Sequence, residues 1–337
     1  MERIKYVDSL KFVAIFSILL VHFCGVWSTT GILNVTFDNI KEIYRFGVPL
    51  FLMITGMLTL NRDIDLKAFF RKKTVRIVYP LIFFLIIGYA IGIFNAYNIF
   101  EKFWYCWLVI GVYLAIPLVN VFVKHASERE IEYAILLFVV ATAVYYLFKI
   151  LELRIAIDLS FFITPISYLI LGYYLSRKEF NVSPNKMVLI SLFVFIAITL
   201  LKIFVIHDYM YFNNHNPVDS RLNFTLPQII QVASVFLLVK NLHLSTKGIS
   251  NGFRKILESN YISKFIESVS RASYGIYMLH MLFILAFVHD ALHVYHMTGV
   301  ATFFAVIIAS FALLVVTWLI ILLLSKIPIV KYFSGYG

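Results

Sequence analysis

The sequence predicts an all-α membrane protein with about ten transmembrane helices and both termini in the cytoplasm. Of its 337 residues, 61% are hydrophobic and only 14% are charged. A soluble globular domain averages about 45–50% apolar and 25% charged residues, so the composition excludes that class. At about 20 residues per span the chain has room for about ten spans, and we interpret residues 1–337 as a single integral membrane domain.

Long apolar runs give the positions of the predicted helices. They lie near residues 9–29, 42–60, 77–96, 103–123, 131–150, 159–176, 187–206, 225–241, 271–289 and 301–324. The first run is too long for a cleavable signal peptide and is not followed by a small-residue cleavage site. The sequence shows no internal repeat, which disfavours a transporter built from inverted repeats.

The 29 lysines and arginines are unevenly distributed between the two faces of the predicted bundle. Seven lie near the face opposite the termini: Lys41, Arg45, Lys102, Lys149, Arg154, Lys202 and Arg221. The other 22 of the 29 lie near the face that carries the termini. This excess predicts that the termini are cytoplasmic and that the protein is a multi-pass protein of the inner (cytoplasmic) cell membrane. The net charge of +11 reflects this concentration of basic residues near one membrane face. We therefore expect membrane lipids as partners of the basic loops, and no nucleic acid.

Neither a disulfide framework nor a metal site is expected. The two cysteines, Cys24 and Cys106, both lie inside apolar runs. His289, His293 and His296 have the spacing of one helix face, but Asp290 alone would add to a metal shell there, and no metal site is assigned.

The first predicted helix carries three ionisable side chains on one face. His22 lies eleven positions after Lys11, which at about 100° per residue is within about 20° of three full turns, and Asp8 falls within about 40° of His22. An ionisable side chain inside a membrane span is costly and by default marks a functional site. We therefore predict that Asp8, Lys11 and His22 are catalytic, with His22 as a general base. The alternatives are a histidine that only joins two helices and a lysine that anchors its helix at the membrane surface.

The second predicted helix begins near Arg45 and continues through Gly47, Pro49 and the pair Thr55-Gly56. Glycine and proline loosen the helical hydrogen-bond ladder, and a Thr-Gly pair permits close approach of a neighbouring backbone. The Arg45 guanidinium needs an acceptor, which is either a structural carboxylate or a polar substrate. We include Arg45 in the predicted catalytic set.

A basic stretch follows this helix and contains Arg71, Lys72, Lys73 and Arg76. Such a stretch commonly anchors a cytoplasmic face. Clustered cations also raise the local concentration of polyanions. Lys72, Lys73 and Arg76 are therefore the candidates for binding the phosphates of a cytoplasmic cofactor.

A second histidine, His280, lies about ten residues inside the ninth predicted helix, at a depth comparable with that of His22. The two histidines either share one polar cavity or each join a pair of helices.

Two loops are also distinctive. Residues 207–224 are rich in aromatic and amide groups, which suit either sugar recognition or an interfacial loop, and residues 242–270 have room for a short amphipathic helix.

Five motifs, in order, resemble those of the acyltransferase-3 family of integral-membrane O-acyltransferases, particularly the branch that O-acetylates bacterial surface polysaccharides. They are Lys11 with His22, Arg45–Gly56, Arg76–Pro80, Trp104–Pro117 and Ser270–His280. Family members more often have arginine at the Lys11 position. They also often have a histidine just before the tryptophan, where this chain has Lys102 and Phe103.

The resemblance implies transfer of an acyl group, usually acetyl, from cytoplasmic acyl-CoA to a hydroxyl on or near the outer face. The acceptor would be a surface glycan or a lipid-linked sugar, and no permanently bound cofactor is implied. The resemblance further implies that His22 is essential, either as general base on the acceptor hydroxyl or as the relay that receives the acyl group, and that Lys11 supports it. It adds Trp104 and Tyr113 to His280 as candidate substrate-binding residues.

Two other functions are compatible with the sequence. A translocator or exporter of a polysaccharide or lipid-linked sugar would need a path across the membrane but no acyl donor. A non-enzymatic membrane scaffold is the other alternative, and no feature of the sequence supports it.

Overall fold

A computed structural model describes residues 3–27, 41–93, 103–151, 158–203, 225–288 and 300–337. This part of the chain is all-helical and contains no strand, as predicted. The α-helices are α1 (Lys5–Trp27), α2 (Gly47–Thr59), α3 (Leu66–Lys73), α4 (Tyr79–Ala90), α5 (Trp104–His125), α6 (Glu128–Ile150), α7 (Pro165–Arg177), α8 (Pro184–Leu201), α9 (Leu226–Leu244), α10 (Gly248–Leu257), α11 (Asn260–Phe283) and α12 (Val300–Lys326).

Within these ranges, six segments are long and apolar enough to cross a membrane, or seven if the bent pair α9 and α10 forms one span. The predicted number of about ten is therefore not confirmed. Helices α2 and α7 have 13 residues each. At 1.5 Å per residue each is about 20 Å long, whereas the hydrocarbon core of a bilayer is about 30 Å thick. The cytoplasmic location of the termini stays a prediction.

Two helices begin well before their predicted starts, because hydropathy alone excludes polar first turns. A π-helical turn, Thr74–Val78, joins α3 to α4, and a single candidate span runs over Leu66–Ala90. The helix starts there because the Asp65 carboxylate accepts a hydrogen bond from the Ala68 amide at 2.7 Å. Helix α11 starts at Asn260, eleven residues before its predicted start, with polar residues on one side of its first turns.

The short helix expected within residues 242–270 is confirmed as α10. Its axis turns by 88° relative to α9. Ile249, Phe253 and Ile256 form an exposed apolar face on it, and Arg254 and Lys255 lie in its last turn. A short helix with an exposed apolar face and basic residues is typical of the membrane interface.

The chain divides into two compact units. The first contains Met1–Lys11, Phe46–Arg62 and Ala115–Ser263, and the second contains Phe12–Arg45, Asp63–Leu114 and Lys264–Gly337.

In the first unit, α2 and α7 pack with their backbones in close contact. A Cβ atom added at Gly56 would lie 2.0 Å from the Leu169 carbonyl oxygen, and one added at Gly172 would lie 2.1 Å from the Met53 carbonyl oxygen. The close approach predicted at Thr55-Gly56 is therefore confirmed. Because no other residue type fits at these two positions, the glycines determine how α2 and α7 meet.

The same unit contains a buried polar network between α8 and α9. The Lys202 ammonium donates to the side-chain oxygens of Gln228 at 2.8 Å and Gln231 at 2.9 Å. Gln231 in turn donates to the Thr199 hydroxyl at 2.9 Å. Lys202 is only 3% exposed, and this network supplies hydrogen-bond partners for its buried charge.

In the second unit, aromatic side chains join the part of α1 after Lys11 to α11 and α12. Phe12 packs against Phe265 of α11, and Phe265 packs edge-on against Trp318 of α12 with ring centroids 5.1 Å apart. The Trp318 indole N–H donates to the Ser268 hydroxyl at 2.9 Å. These contacts hold α1 in place along one side of α11.

Residues 330–337 fold back onto α11 in this unit. A Cβ atom at Gly275 would lie 2.3 Å from the Ser334 carbonyl oxygen, and Gly335 has a φ of +73°, which favours glycine. The Phe333 ring stacks on Tyr79 of α4 at 5.6 Å. The Tyr274 hydroxyl donates to the Ile77 carbonyl at 3.0 Å and so ties α11 to the π-helical turn.

We expect the substitution Gly56→Ala to lower the stability of the protein markedly. The new methyl group would overlap the backbone of α7 and force α2 and α7 apart, and overpacking of this kind costs about 1–3 kcal/mol or more. Gly111→Ala is the matched control, because a Cβ at Gly111 meets no atom within 4 Å and alanine favours the helix. Thermal unfolding in detergent measures both. Equal melting temperatures for the two variants would contradict the close packing of α2 on α7.

Candidate functional site

The imidazole rings of His22 and His280 lie side by side. Their centroids are 4.9 Å apart and their planes are inclined by 55°. His22 is half-buried on α1, and His280 is fully buried on α11 with 0% exposure. Both residues belong to the second unit. The structure thus brings the two rings together where α1 meets α11.

The His280 ring is oriented by its own helix. Its Nδ1 lies 2.5 Å from the Tyr277 carbonyl oxygen, and a carbonyl only accepts hydrogen bonds, so Nδ1 carries the proton. In the neutral ring Nε2 therefore has the lone pair. This Nε2 atom is buried and has no hydrogen-bond partner among the described residues. A buried polar atom of this kind is a candidate to bind a substrate group.

Aromatic side chains surround the histidine pair on the α11 side. The Tyr277 ring centroid lies 5.3 Å from that of His280 and 5.0 Å from that of Tyr105. Cys106 is fully buried next to Tyr105, with its Sγ 4.0 Å from the Met278 sulfur. The surroundings of the rings are thus apolar, which strengthens electrostatic interactions with any charge that develops there.

Helix α1 carries the predicted Asp8, Lys11 and His22 without interruption. The Asp8 carboxylate is 8% exposed, and the Arg3 guanidinium holds both of its oxygens, at 2.7 and 2.8 Å. Lys11 is half-buried. Along the helix axis Lys11 and His22 are about 16 Å apart. The structure therefore pairs Asp8 with Arg3, and the roles of Asp8 and Lys11 in catalysis stay predictions.

Arg45 lies in the turn just before α2. Its Nε is 2.7 Å from a carboxylate oxygen of Glu42. Of the two acceptors considered for this guanidinium, the structure therefore supplies a carboxylate three residues earlier in the chain. This contact does not test the predicted catalytic role of Arg45.

The basic stretch contains both exposed and packed side chains. Lys72 and Arg76 are exposed, whereas the Lys73 ammonium lies 4.1 Å from the centre of the Tyr113 ring and 5.4 Å from that of Phe69. The Arg76 guanidinium packs against Gly337, where an added Cβ would lie 2.7 Å from it. Lys72 and Arg76 thus present charge to solvent, while a cation–π contact holds Lys73.

The predicted substrate-binding residues of α5 have different surroundings. Tyr113 contacts Lys73 of the basic stretch, and Trp104 is half-buried and packs edge-on against Tyr105 at 6.1 Å. Tyr105 and Tyr277 were not predicted as site residues, although both approach the His280 side of the site. The available signal was the position of Tyr277 one helical turn before His280.

The glutamines of the Lys202 network were also not predicted. Their signal in the sequence is the presence of Gln228 and Gln231, one turn apart, in the largely apolar first half of α9. His289, His293 and His296, and the loop 207–224, lie outside the described residues. Among the residues that are described, no group of three His, Cys, Asp or Glu side chains is placed to hold a metal ion.

Comparison with known proteins gives one match. The model of a protein family described as an acyltransferase domain, that of the acyltransferase-3 family, matches residues 4–322. No curated protein and no solved structure matches the chain. The matched range covers nearly the whole chain and includes every residue of the candidate site. The protein therefore belongs to the acyltransferase-3 family and is a membrane acyltransferase.

Proposed function

We propose that the protein transfers an acyl group, acetyl in the first instance, from cytoplasmic acyl-CoA to a hydroxyl of a surface glycan or lipid-linked sugar. The observation that supports this most strongly is the pair of adjacent imidazoles, His22 and His280, in an apolar part of a membrane acyltransferase. Imidazole takes up and releases protons near neutral pH, as transfer to a hydroxyl requires.

In the proposed reaction the acceptor hydroxyl oxygen attacks the carbonyl carbon of the thioester. A new C–O bond forms, the C–S bond breaks, and the hydroxyl proton passes to His22 and then to the departing sulfur, which leaves as the CoA thiol. His280, whose Nε2 atom can accept a hydrogen bond, would bind a second hydroxyl of the acceptor sugar, next to the one that His22 deprotonates. Arg45 orients a polar group of the substrate or stabilises the oxyanion of the tetrahedral intermediate.

Lys72 and Arg76 would hold the phosphates of the donor, because they are exposed cations within one turn of each other on a face predicted to be cytoplasmic. Lys73 and Tyr113 form a cation–π contact beside them. Trp104 remains a candidate for binding the acceptor, and Asp8 and Lys11 remain candidates for supporting His22.

The substitution His22→Ala should lower acylation of the host's surface glycans by at least about 100-fold, because loss of a general base typically costs 10²–10⁴ in rate. Mass analysis of glycans from cells that carry the wild-type or variant protein measures this. His125→Ala is the control, since His125 is exposed and its Nδ1 contacts only the Val121 carbonyl of its own helix. Full acylation with His22→Ala protein present in the membrane would overturn the proposal.

Replacement of both Lys72 and Arg76 by glutamine should weaken binding of acetyl-CoA to the purified protein by about tenfold or more. The loss of two charges removes attraction for the donor phosphates, and high salt should reduce the difference between variant and wild type. Isothermal titration with acetyl-CoA measures the affinity.

Lys255→Gln provides the control for this experiment, because Lys255 is an exposed lysine on α10. It should bind acetyl-CoA as the wild type does. Absence of saturable acetyl-CoA binding by the wild-type protein would instead favour a translocator of glycans, which needs no acyl donor.

A further inference from the structure

A serine, a histidine and a glutamate form a hydrogen-bonded chain in the first unit. Ser9 lies in the first turns of α1, His243 in the last turn of α9, and Glu258 directly after α10. The Ser9 hydroxyl oxygen is 2.9 Å from Nε2 of His243. Nδ1 of the same ring is 3.2 Å from a carboxylate oxygen of Glu258. Three separate elements thus bring together a hydroxyl, an imidazole and a carboxylate in line.

The order of the three groups assigns their protons. An ionised carboxylate only accepts hydrogen bonds, so Nδ1 of His243 donates to Glu258. In the neutral ring Nε2 then has the lone pair and accepts the hydrogen bond from the Ser9 hydroxyl. This is the arrangement in which an imidazole removes the proton of a serine nucleophile while a carboxylate holds the ring in place.

The side chains of Ser9 and His243 are largely buried, and Glu258 lies next to a positive charge. Ser9 is 6% exposed, and the side chain of His243 is also 6% exposed, whereas that of Glu258 is 27% exposed. The Lys5 ammonium lies 3.5 Å from the second oxygen of Glu258. Partial burial acts to raise the pKa of the Glu258 carboxyl, but His243 and Lys5 outweigh this effect, and the pKa is lowered. The carboxylate is therefore ionised at neutral pH, and Glu258 is the most exposed of the three residues.

We propose that Ser9, His243 and Glu258 form a second reactive site, in which Ser9 accepts an acyl group from a thioester or a comparably activated ester. Ser9 is the nucleophile, His243 is the base, and Glu258 is a positioning residue. All three residues belong to the first unit, whereas His22 and His280 belong to the second.

These residues supply the nucleophile and the base that the acylation step needs. The Ser9 oxygen forms a bond to the acyl carbon while the bond from that carbon to sulfur breaks. The serine proton moves to Nε2 of His243 and then to the departing sulfur, which leaves as a thiol. Water, activated by the same imidazole, then hydrolyses the acyl-serine to a carboxylic acid and restores the Ser9 hydroxyl.

A fluorophosphonate probe tests the proposal on the purified full-length protein in detergent. The probe phosphonylates an activated serine and releases fluoride, and mass analysis of peptides identifies the modified residue. We expect labelling at Ser9, its loss in Ser9→Ala, and a labelling rate about 100-fold lower in His243→Ala. Ser17→Ala is the control and should label as the wild type does, because Ser17 lies on the same helix and donates only to the Ala14 carbonyl.

The role of Glu258 requires a further comparison. Glu258→Gln should slow labelling at least tenfold, and Glu258→Asp, which keeps the carboxylate, should restore most of the rate. Equal rates in the two variants would assign Glu258 a purely structural role and overturn its place in the site. Labelling uses neither acyl-CoA nor a glycan, so its outcome is independent of the proposed glycan acylation.

Ser9→Cys keeps the test decisive if Ser9→Ala does not fold. A cysteine at this position should react with iodoacetamide about tenfold faster than it does when His243→Ala is also present, because the imidazole favours the thiolate. Equal alkylation rates, or no fluorophosphonate on Ser9 in the wild-type protein, would mean that the three residues are only a structural hydrogen-bonded chain.

Discussion

Polar side chains on apolar helices need partners, because an unsatisfied polar group in a dry interior costs several kcal/mol, and this requirement determines much of the interior. The Lys202 ammonium binds the side-chain oxygens of Gln228 and Gln231 and so links α8 to α9. The Asp8 carboxylate binds Arg3 at the start of α1. Each contact satisfies a charge that apolar side chains alone would leave without a partner.

Glycine residues permit close contacts between other segments of the chain. Gly56 and Gly172 let α2 and α7 approach until backbone touches backbone. Gly275 does the same for the segment that ends at Gly337 and lies against Arg76. The C-terminal segment thus joins α11, which carries His280, to the basic stretch within one unit, through a backbone contact at Gly275 and a contact of Gly337 with the Arg76 side chain. A rigid connection of this kind holds reactive groups in place without further interactions.

Two imidazoles in the protein are oriented in different ways, and the difference has chemical consequences. A neutral backbone carbonyl, that of Tyr277, holds the ring of His280, while the Glu258 carboxylate holds the ring of His243. A carboxylate stabilises the imidazolium that forms when the ring takes up a proton, and a carbonyl does so less. His243 is thus arranged for removal of a proton from Ser9, and His280 for hydrogen bonding beside His22, where two positive charges 4.9 Å apart would repel each other.

The sequence by itself determined the all-α membrane class, the position of most helices and the acyltransferase-3 family, because hydropathy and motif spacing are local properties of the chain. It also singled out His22 and His280 from the cost of burying an ionisable group. Its count of about ten spans is not confirmed: six or seven segments of the described residues qualify, and apolar composition does not reveal that α2 and α7 have only 13 residues each. Only the tertiary structure decided that His22 lies beside His280 and that Ser9 contacts His243. The two residues of each pair are more than 200 positions apart, and local patterns in a single sequence do not indicate contacts over such a separation.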